Sequence, residues 1–136
     1  GRVDTSDASP RSAVERETRE EVGLDLSRAN YLGRLDDLCG RPNSGLVISG
    51  FVYRASQQID FQLNREVAQA FWVSLETVLD RKRHVTYPFV YEGRPVPMPA
   101  IDLLGPGQPV LWGLTYRFLD LMLGLTGRTI PSLAWK

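Results

Sequence analysis

The sequence has little that could bind zinc, form a disulfide or cross a membrane. Its 136 residues include one cysteine, Cys39, and one histidine, His84. A single cysteine excludes an internal disulfide framework and is typical of a reducing compartment, so we expect a cytoplasmic protein. No cluster of Cys and His has the spacing of a zinc site. No apolar run reaches the roughly 18 residues that a membrane-spanning helix needs.

The chain also lacks an excess of charge of either sign. Sixteen Lys and Arg balance sixteen Asp and Glu, and the pI is about 6.8. Bulk charge therefore gives no attraction to nucleic acid or to an anionic membrane, and we predict neither as a partner. A chain of this length with 43% hydrophobic residues can bury one core. We therefore predict a single domain over residues 1–136.

An acidic helix near the start of the chain is the most informative segment. Ser9 is a good N-cap, Pro10 suits the first helical position, and Gly23 suits the left-handed residue that ends a helix. The sequence therefore predicts a helix over residues 10–22. At 100° per residue, an apolar stripe and an acidic stripe lie side by side on this helix. These stripes contain Val14, Thr18 and Val22, and Glu17, Glu20 and Glu21.

The acidic stripe has two interpretations. Three carboxylates on one helix face repel one another, at roughly a few tenths of a kcal/mol per pair. A charge run is usually a solvated face, and Arg16, four residues before Glu20, can offset part of this one. Alternatively, the carboxylates offer the hard oxygen ligands that a divalent cation prefers.

The order of the residues favours the cation site, because the segment resembles the Nudix box. Arg16 to Leu24 follows the family pattern of Arg-Glu, Glu-Glu, Gly and a final apolar residue, and Gly1 and Asp7 match the upstream Gly and acid. Asp7 replaces a Glu, Thr18 replaces an apolar residue, and the spacing between Asp7 and the Arg-Glu pair is one residue longer. This spacing, the Gly-x-x-Asp-x-x-Asp start and the segment Trp112 to Thr115 resemble the coenzyme A pyrophosphatase branch.

The resemblance implies an α+β fold, namely a Nudix-type α/β/α sandwich with a mixed β-sheet. Nudix domains carry strands ahead of the box, so we expect the domain to lack its N-terminal strands and to be incomplete ahead of Gly1. Apolar surface that those strands would cover should then be exposed. We therefore expect residues 1–136 alone to be poorly soluble, self-associated, for example as a homodimer, or associated with a segment outside this sequence. We also expect weak or absent hydrolysis of coenzyme A.

The resemblance also implies a function, which is metal-dependent hydrolysis of the diphosphate bond in a nucleoside diphosphate derivative. Mg²⁺ or Mn²⁺ is the implied cofactor, and coenzyme A or acyl-coenzyme A is the preferred small-molecule substrate over ADP-ribose or a dinucleotide. The implied metal ligands are Glu17 and Glu21, Glu20 directly or through water, and the carbonyl of Gly1. Arg16 would orient these side chains. The alternative from another class is a non-catalytic Nudix-fold module that binds a nucleotide or a protein.

The sequence leaves the roles of several further residues undecided. The resemblance leaves the general base unassigned, with Glu66, Glu76 and Glu92 as later candidates. Asp36 and Asp37 either join the acidic site or are solvated. The basic run 81–84 is a solvated helix end or a contact to substrate phosphate. Nothing in the spacing of Cys39 and His84 supports a nucleophilic pair, and we expect the thiol to pack as a small apolar group.

Apolar and turn residues predict the remaining elements. The predicted strands cover residues 31–38, 46–53, 66–73 and 85–91. The first two suggest an antiparallel hairpin, and Pro88 makes the last an edge strand. Ser74 is predicted to cap a short helix with Leu75, Val78 and Leu79 facing inward. Loops are predicted over 39–45 and 97–109, and a largely buried helix over 115–123, ended by Gly124.

Overall fold

A computed structural model of the chain describes residues 2–40, 45–56 and 58–131. The chain divides into two compact units, Gly1–Trp72 and Val73–Lys136. The described elements of the first unit are α1 (Pro10–Val22), a 3₁₀ turn (Leu26–Arg28), β1 (Asn30–Arg34), β2 (Leu38–Cys39), β3 (Val47–Ile48) and β4 (Phe51–Arg54). Those of the second unit are α2 (Leu75–Leu79), a 3₁₀ turn (Arg81–Arg83), β5 (His84–Tyr91), β6 (Arg94–Ile101), β7 (Leu111–Trp112) and α3 (Gly113–Leu125). None of the described helices is long and apolar enough to span a membrane.

The fold class is α+β, as predicted. Among the described residues all strand pairings are antiparallel: β1 with β4, β2 with β3, and β6 with both β5 and β7. The strands return alongside one another through hairpin and loop connections, whereas a parallel pair requires a crossover of about a dozen residues or more, usually a helix. The mixed sheet implied by the resemblance is therefore not formed within the described residues.

Helix α1 has the predicted bounds because its end signals are local. The Ser9 hydroxyl accepts the Ser12 N–H at 3.1 Å, and the Ser12 hydroxyl accepts the Ser9 N–H at 2.8 Å, which satisfies two donors at the start of the helix. Gly23 ends the helix with φ of 72°. On the apolar side, Ala13 is the buried residue of this helix, and the three residues of the predicted apolar stripe are half-buried.

The C-terminal end of α1 is covered by residues 62–64. The Gln62 N–H donates to the Val22 carbonyl at 2.9 Å, and the Asn64 N–H donates to the Glu21 carbonyl at 3.0 Å. A Cβ at Gly23 would lie 2.7 Å from Cβ of Gln62. Gly23 is therefore required both for its positive φ and for the close approach of this segment.

Gly23→Ala should lower the free energy of unfolding by about 2 kcal/mol or more. The left-handed conformation alone costs an L-residue roughly 1–2 kcal/mol, and the clash with Gln62 adds to it. Gly127→Ala is the matched control, because Gly127 has φ of 71° and a Cβ added there would meet no atom within 4 Å. Urea unfolding should show the larger loss for Gly23→Ala, and equal losses would contradict the close approach.

The two strands predicted over 31–38 and 46–53 form the expected antiparallel hairpin, but neither is continuous. A register shift between Tyr31 and Gly33 bends β1, and the chain then leaves the ladder at Asp36 and Asp37 before it re-forms as β2. On the returning side, Ser49 and Gly50 separate β3 from β4. Cys39 belongs to β2 rather than to the predicted loop, and residues 41–44 of that loop lie outside the described residues.

A polar cluster anchors α1 to the β1–β4 ladder. The Tyr53 hydroxyl donates to Oε1 of Glu15 at 2.8 Å, and Nε of Arg11 donates to the same oxygen at 2.9 Å. The Arg11 guanidinium also lies 4.0 Å from the centroid of the Tyr31 ring. The hydrogen bond from Tyr53 lowers the pKa of Glu15, so this carboxylate stays charged. The orientation of α1 on the ladder is thus fixed by side chains as well as by packing.

The strand predicted over 66–73 is wrong. The Glu66 N–H donates to the side chain of Asn64 at 2.8 Å, and this local bond turns the chain where the strand should start. Further along, the Trp72 ring stacks on Phe61 with centroids 5.3 Å apart, and its N–H donates to the Ile59 carbonyl at 3.0 Å. Side-chain contacts rather than a ladder therefore hold this segment.

The second unit packs a small core between its helices and sheet. Its buried residues are Val78, Ile101, Tyr116, Leu123 and Ile130. The Ser74 hydroxyl caps α2 as predicted, accepting the Thr77 N–H at 3.1 Å. Of the three residues predicted to face inward, Val78 is buried and Leu79 packs on the core, but Leu75 is 45% exposed. Five residues form little more than one turn, which is too short for every apolar residue to face the core.

Strand β5 lies at the edge of its sheet, as Pro88 predicted. The loop predicted over 97–109 begins only at residue 102, because β6 continues to Ile101. Its prolines alternate at 95, 97 and 99, and backbone N–H groups also alternate in direction along a strand. The missing donors therefore all fall on the side away from β5, and the ladder with β5 stays intact.

Helix α3 is longer and less buried than predicted. It runs through Gly124 to Leu125, and the turn that ends it uses Gly127, at φ of 71°. Among its described residues only Tyr116 and Leu123 are buried, whereas Leu125 is 79% exposed. An apolar composition predicted burial on most sides, but the neighbouring β6 and β7 cover only one side of the helix.

Candidate active site

The acidic stripe of α1 lies in the second half of the helix, where carboxylates are disfavoured. Each one repels its neighbours and also faces the partial negative charge of the helix C-terminus. The side chain of Glu17 is 23% exposed and that of Glu20 is 58% exposed, while Glu21 is half-buried. Such an arrangement requires cations nearby to offset its cost.

Arg16 supplies one of these cations. Its Nη1 lies 3.1 Å from Oε1 of Glu17 and 3.1 Å from Oε2 of Glu20. Its Nε and Nη2 donate to the two carboxylate oxygens of Asp7, at 3.1 and 2.9 Å. The guanidinium therefore connects the loop before α1 to two of the three carboxylates of the stripe.

Asp7 is held in place by the groups around it. Its side chain is 5% exposed, and Oδ2 also accepts the Asp4 N–H at 2.8 Å. The hydrogen bonds from Arg16, and then from the Asp4 backbone, hold the pKa of Asp7 below its ordinary value. Asp7 in turn raises the pKa of Arg16. Despite the longer spacing seen in the sequence, this carboxylate reaches Arg16 with both oxygens.

Glu21 differs from the other two carboxylates. Its side chain makes no hydrogen bond or ion pair with any residue in the described part of the chain. It follows Glu17 by four residues, so the two side chains share a helix face. Glu20 lines a different groove, of about 660 Å³, together with Arg16. The stripe is therefore divided into a Glu17 and Glu21 pair and a more exposed Glu20.

Glu17 lines a groove of about 770 Å³ within the first unit, which we call the Glu17 groove. Two arginines, Arg2 and Arg34, share it with this carboxylate. The apolar lining consists of Val3, Pro10, Ala13, Val14, Leu46, Val47, Ile48 and Phe51, and Ser49 completes it. A carboxylate of the acidic helix thus lines a cavity that also has cations and apolar surface, which suits a ligand with anionic and apolar parts.

Comparison with known families identifies the domain in which this helix and groove lie. A family model of the NUDIX domain matches residues 1–92, a range that contains α1, the loop before it and the lining of the Glu17 groove. The chain belongs to the Nudix family. No curated protein matches it. A Nudix domain supports a hydrolase that acts on diphosphate bonds and binds small nucleotide derivatives.

Nudix hydrolases generally use divalent metal ions, and the donors on α1 suit one. Within residues 2–40, 45–56 and 58–131, no three Asp, Glu, His or Cys side chains are gathered around one point. Mg²⁺ does not require this, since one or two carboxylates usually bind it together with waters and substrate phosphates. Glu17 and Glu21, one helical turn apart on α1, are two carboxylates of the type that such a site uses. Gly1, whose carbonyl the resemblance adds, lies outside the described residues.

None of the other acidic residues considered in the sequence lines the Glu17 groove. Glu66 is exposed in the first unit and does not line the groove. Glu76 lies in the first turn of α2 and Glu92 in the β5–β6 turn, so a role as general base stays a prediction for all three. Asp36 is exposed, and Asp37 pairs with Arg34 at 2.7 Å; neither lines the Glu17 groove, and both interpretations of these two residues stay predictions.

Cys39 and His84, the residues considered as a nucleophilic pair, lie in different surroundings. Cys39 is exposed, contrary to the expectation that it packs as an apolar group, because the short strand β2 turns it outward while Leu38 is buried. The ring of His84 lies within hydrogen-bonding distance of the Val78 carbonyl, with Nε2 at 2.9 Å. In the basic run, Arg83 donates to the Asp102 carbonyl at 3.1 Å. These contacts give His84 and Arg83 structural roles in the second unit.

Sequence reasoning assigned no role to Arg2 or Arg34, the cations of the Glu17 groove. Their participation depends on the β1–β4 pairing and on the path of the N-terminal loop, which bring distant residues together. The one signal in the sequence was the Arg34 and Asp37 spacing, because opposite charges three residues apart often pair when a chain turns. That signal alone does not identify a groove.

Proposed function

We propose that this protein is a Mg²⁺- or Mn²⁺-dependent Nudix hydrolase that cleaves the diphosphate bond of a nucleoside diphosphate derivative, with coenzyme A or acyl-coenzyme A as the preferred substrate. The proposal rests mainly on the position of Glu17. This residue belongs to the acidic stripe of the Nudix box, and it also lines a groove that contains two arginines. The groove thereby offers a site for phosphates beside a site for a cation.

In this proposal Glu17 and Glu21 hold the cation, Glu20 adds a ligand directly or through water, and the carbonyl of Gly1 completes the set. When bound, a divalent cation neutralises charge on the phosphoryl oxygens and makes an attacking water more acidic. Arg16 keeps Glu17 oriented, since the same guanidinium is fixed by both oxygens of Asp7. A carboxylate held in this way loses less entropy when it binds a cation.

The remaining lining of the Glu17 groove contacts the substrate. Arg2 and Arg34 attract the phosphates, and Val47 and Phe51 offer apolar surface beside them. The general base stays unassigned among the later carboxylates.

The preference for coenzyme A rests on the spacing ahead of Arg16 and on the segment Trp112 to Thr115. It is tested by offering the full-length protein coenzyme A, ADP-ribose, NADH and dinucleoside polyphosphates with Mg²⁺. Release of phosphopantetheine at the highest kcat/KM supports the preference. A clear preference for another substrate would remove coenzyme A and leave the Nudix hydrolase proposal intact.

One observation favours the alternative of a non-catalytic nucleotide-binding module. Arg16 already neutralises part of the stripe through its contacts with Glu17 and Glu20. Calorimetry separates the two proposals, because a hydrolase should bind Mg²⁺ or Mn²⁺ and should bind nucleotide more tightly in its presence. Equal nucleotide affinity with and without metal, together with no turnover, would favour the module.

A further inference from the structure

Arg34 is held rigidly at the wall of the Glu17 groove. Its Nη2 donates to both oxygens of Asp37, at 2.8 and 2.7 Å, and lies 3.0 Å from the Ser49 hydroxyl. The Ser49 hydroxyl in turn donates to Oδ1 of Asp37 at 2.8 Å, and the guanidinium lies 5.9 Å from the centroid of the Phe51 ring. Three neighbours therefore fix the position of an arginine whose side chain is still 47% exposed.

The contacts that hold Arg34 leave part of its guanidinium available. A guanidinium has five N–H donors. The bonds to Asp37 and Ser49 use Nε and Nη2, and Nη1 makes no hydrogen bond with the described residues. Two donors in a fixed plane thus remain on a residue that lines the groove. An arginine needed only for the turn at Asp37 would not have to lie in the lining of a cavity.

The groove has the charge and surface of a site for an anionic ligand. The lining contains two arginines, Arg2 and Arg34, and one carboxylate, Glu17. Asp37 pairs with Arg34 from outside the lining, and a cation on Glu17 would add positive charge to the groove. A planar guanidinium with two free donors suits phosphoryl oxygens better than it suits a neutral group.

We propose that Arg34 is a phosphate-binding residue of this groove. It donates from Nη1 to phosphoryl oxygens of the bound substrate, while Asp37, Ser49 and Phe51 position it. This inference rests on the proposed function for the identity of the substrate. The phosphoryl oxygens belong either to the diphosphate itself or to a second phosphate group on the same ligand.

The test measures binding without turnover, by titration calorimetry in metal-free buffer with ADP, coenzyme A and coenzyme A that lacks its ribose 3′-phosphate. Arg34→Gln should weaken binding about ten- to hundredfold, because a charge-assisted pair is lost. Weakening of all three ligands identifies the diphosphate as the group bound. Weakening of coenzyme A alone identifies the ribose phosphate. Either result supports the proposal.

A conservative variant and a control variant show whether the effect is specific to Arg34. Arg34→Lys retains the charge without the planar donors and should bind more tightly than Arg34→Gln but less tightly than the wild type. Arg65→Gln removes an exposed arginine outside the groove and should bind like the wild type. Dissociation constants for Arg34→Gln within about twofold of those for Arg65→Gln, for all three ligands, would overturn the proposal. Since no metal or turnover is needed, a lack of hydrolysis would count against the proposed function alone.

Discussion

Glu17→Gln and Glu21→Gln should each reduce the turnover of the full-length protein by about two to three orders of magnitude. Each change replaces a carboxylate that we propose as a metal ligand with a neutral amide of the same shape, so the affinity of α1 for a divalent cation should fall. Folding should change by less than about 0.5 kcal/mol, because a repulsion on the helix surface is removed and no buried contact is lost. Steady-state kinetics across a range of Mg²⁺ concentrations, with urea unfolding of the same variants, measures both effects.

The comparison among the carboxylates makes this prediction specific. Glu20 is more exposed and lines a different groove, so Glu20→Gln should cost less activity than either change in the Glu17 and Glu21 pair. Asp60→Asn, an exposed change in a loop of the same unit, is the control for a loss of one negative charge. Near-normal turnover in Glu21→Gln would refute its assignment as a metal ligand.

The parts of the fold that depend on neighbours in the sequence were predictable. Helix α1 has its predicted bounds because Ser9, Pro10 and Gly23 act within one turn of its ends. The β5–β6 hairpin was predicted only in part. A segment rich in proline is usually a loop, and the prolines of β6 fit a strand only because they alternate and leave the ladder with β5 intact. The prediction of a strand at 66–73 failed because the Asx bond at Asn64 turns the chain at Glu66, and because Trp72 contacts Phe61 and Ile59 instead of a partner strand.

Some parts of the candidate site could be predicted from the sequence, and others could not. The acidic stripe follows from helix geometry, and its neighbour Arg16 follows from the sequence order. The Glu17 groove could not be predicted in this way, because strand pairing is what brings Arg34, Val47 and Phe51 close to α1. Self-association and weak turnover of residues 1–136 stay predictions, which light scattering and a coenzyme A assay would test.

Asp7→Asn should lower turnover by about ten- to hundredfold and weaken Mg²⁺ binding in parallel, although Asp7 is not proposed to contact the metal. The amide cannot accept from Arg16 with two charged oxygens, so the guanidinium is freed to pair more closely with Glu17 and Glu20 and to compete with the cation. Outer residues that orient metal ligands typically contribute effects of this size. Asp7→Glu retains the carboxylate and should retain more of the activity.

The pH dependence of folding gives an independent readout of the same contact. Arg16 lowers the pKa of Asp7 in the folded protein, so the pair stabilises the fold fully above the ordinary carboxyl pKa of about 4. This stabilisation is lost as the pH falls through the lowered pKa, because a protonated Asp7 no longer pairs with Arg16. Asp7→Asn should therefore show a smaller loss of stability than the wild type when both are acidified from pH 5 to pH 2, roughly the range over which a paired carboxylate titrates. If Asp7→Asn kept wild-type turnover, Mg²⁺ affinity and acid sensitivity, the ion pair would be a surface contact without a role in positioning Arg16.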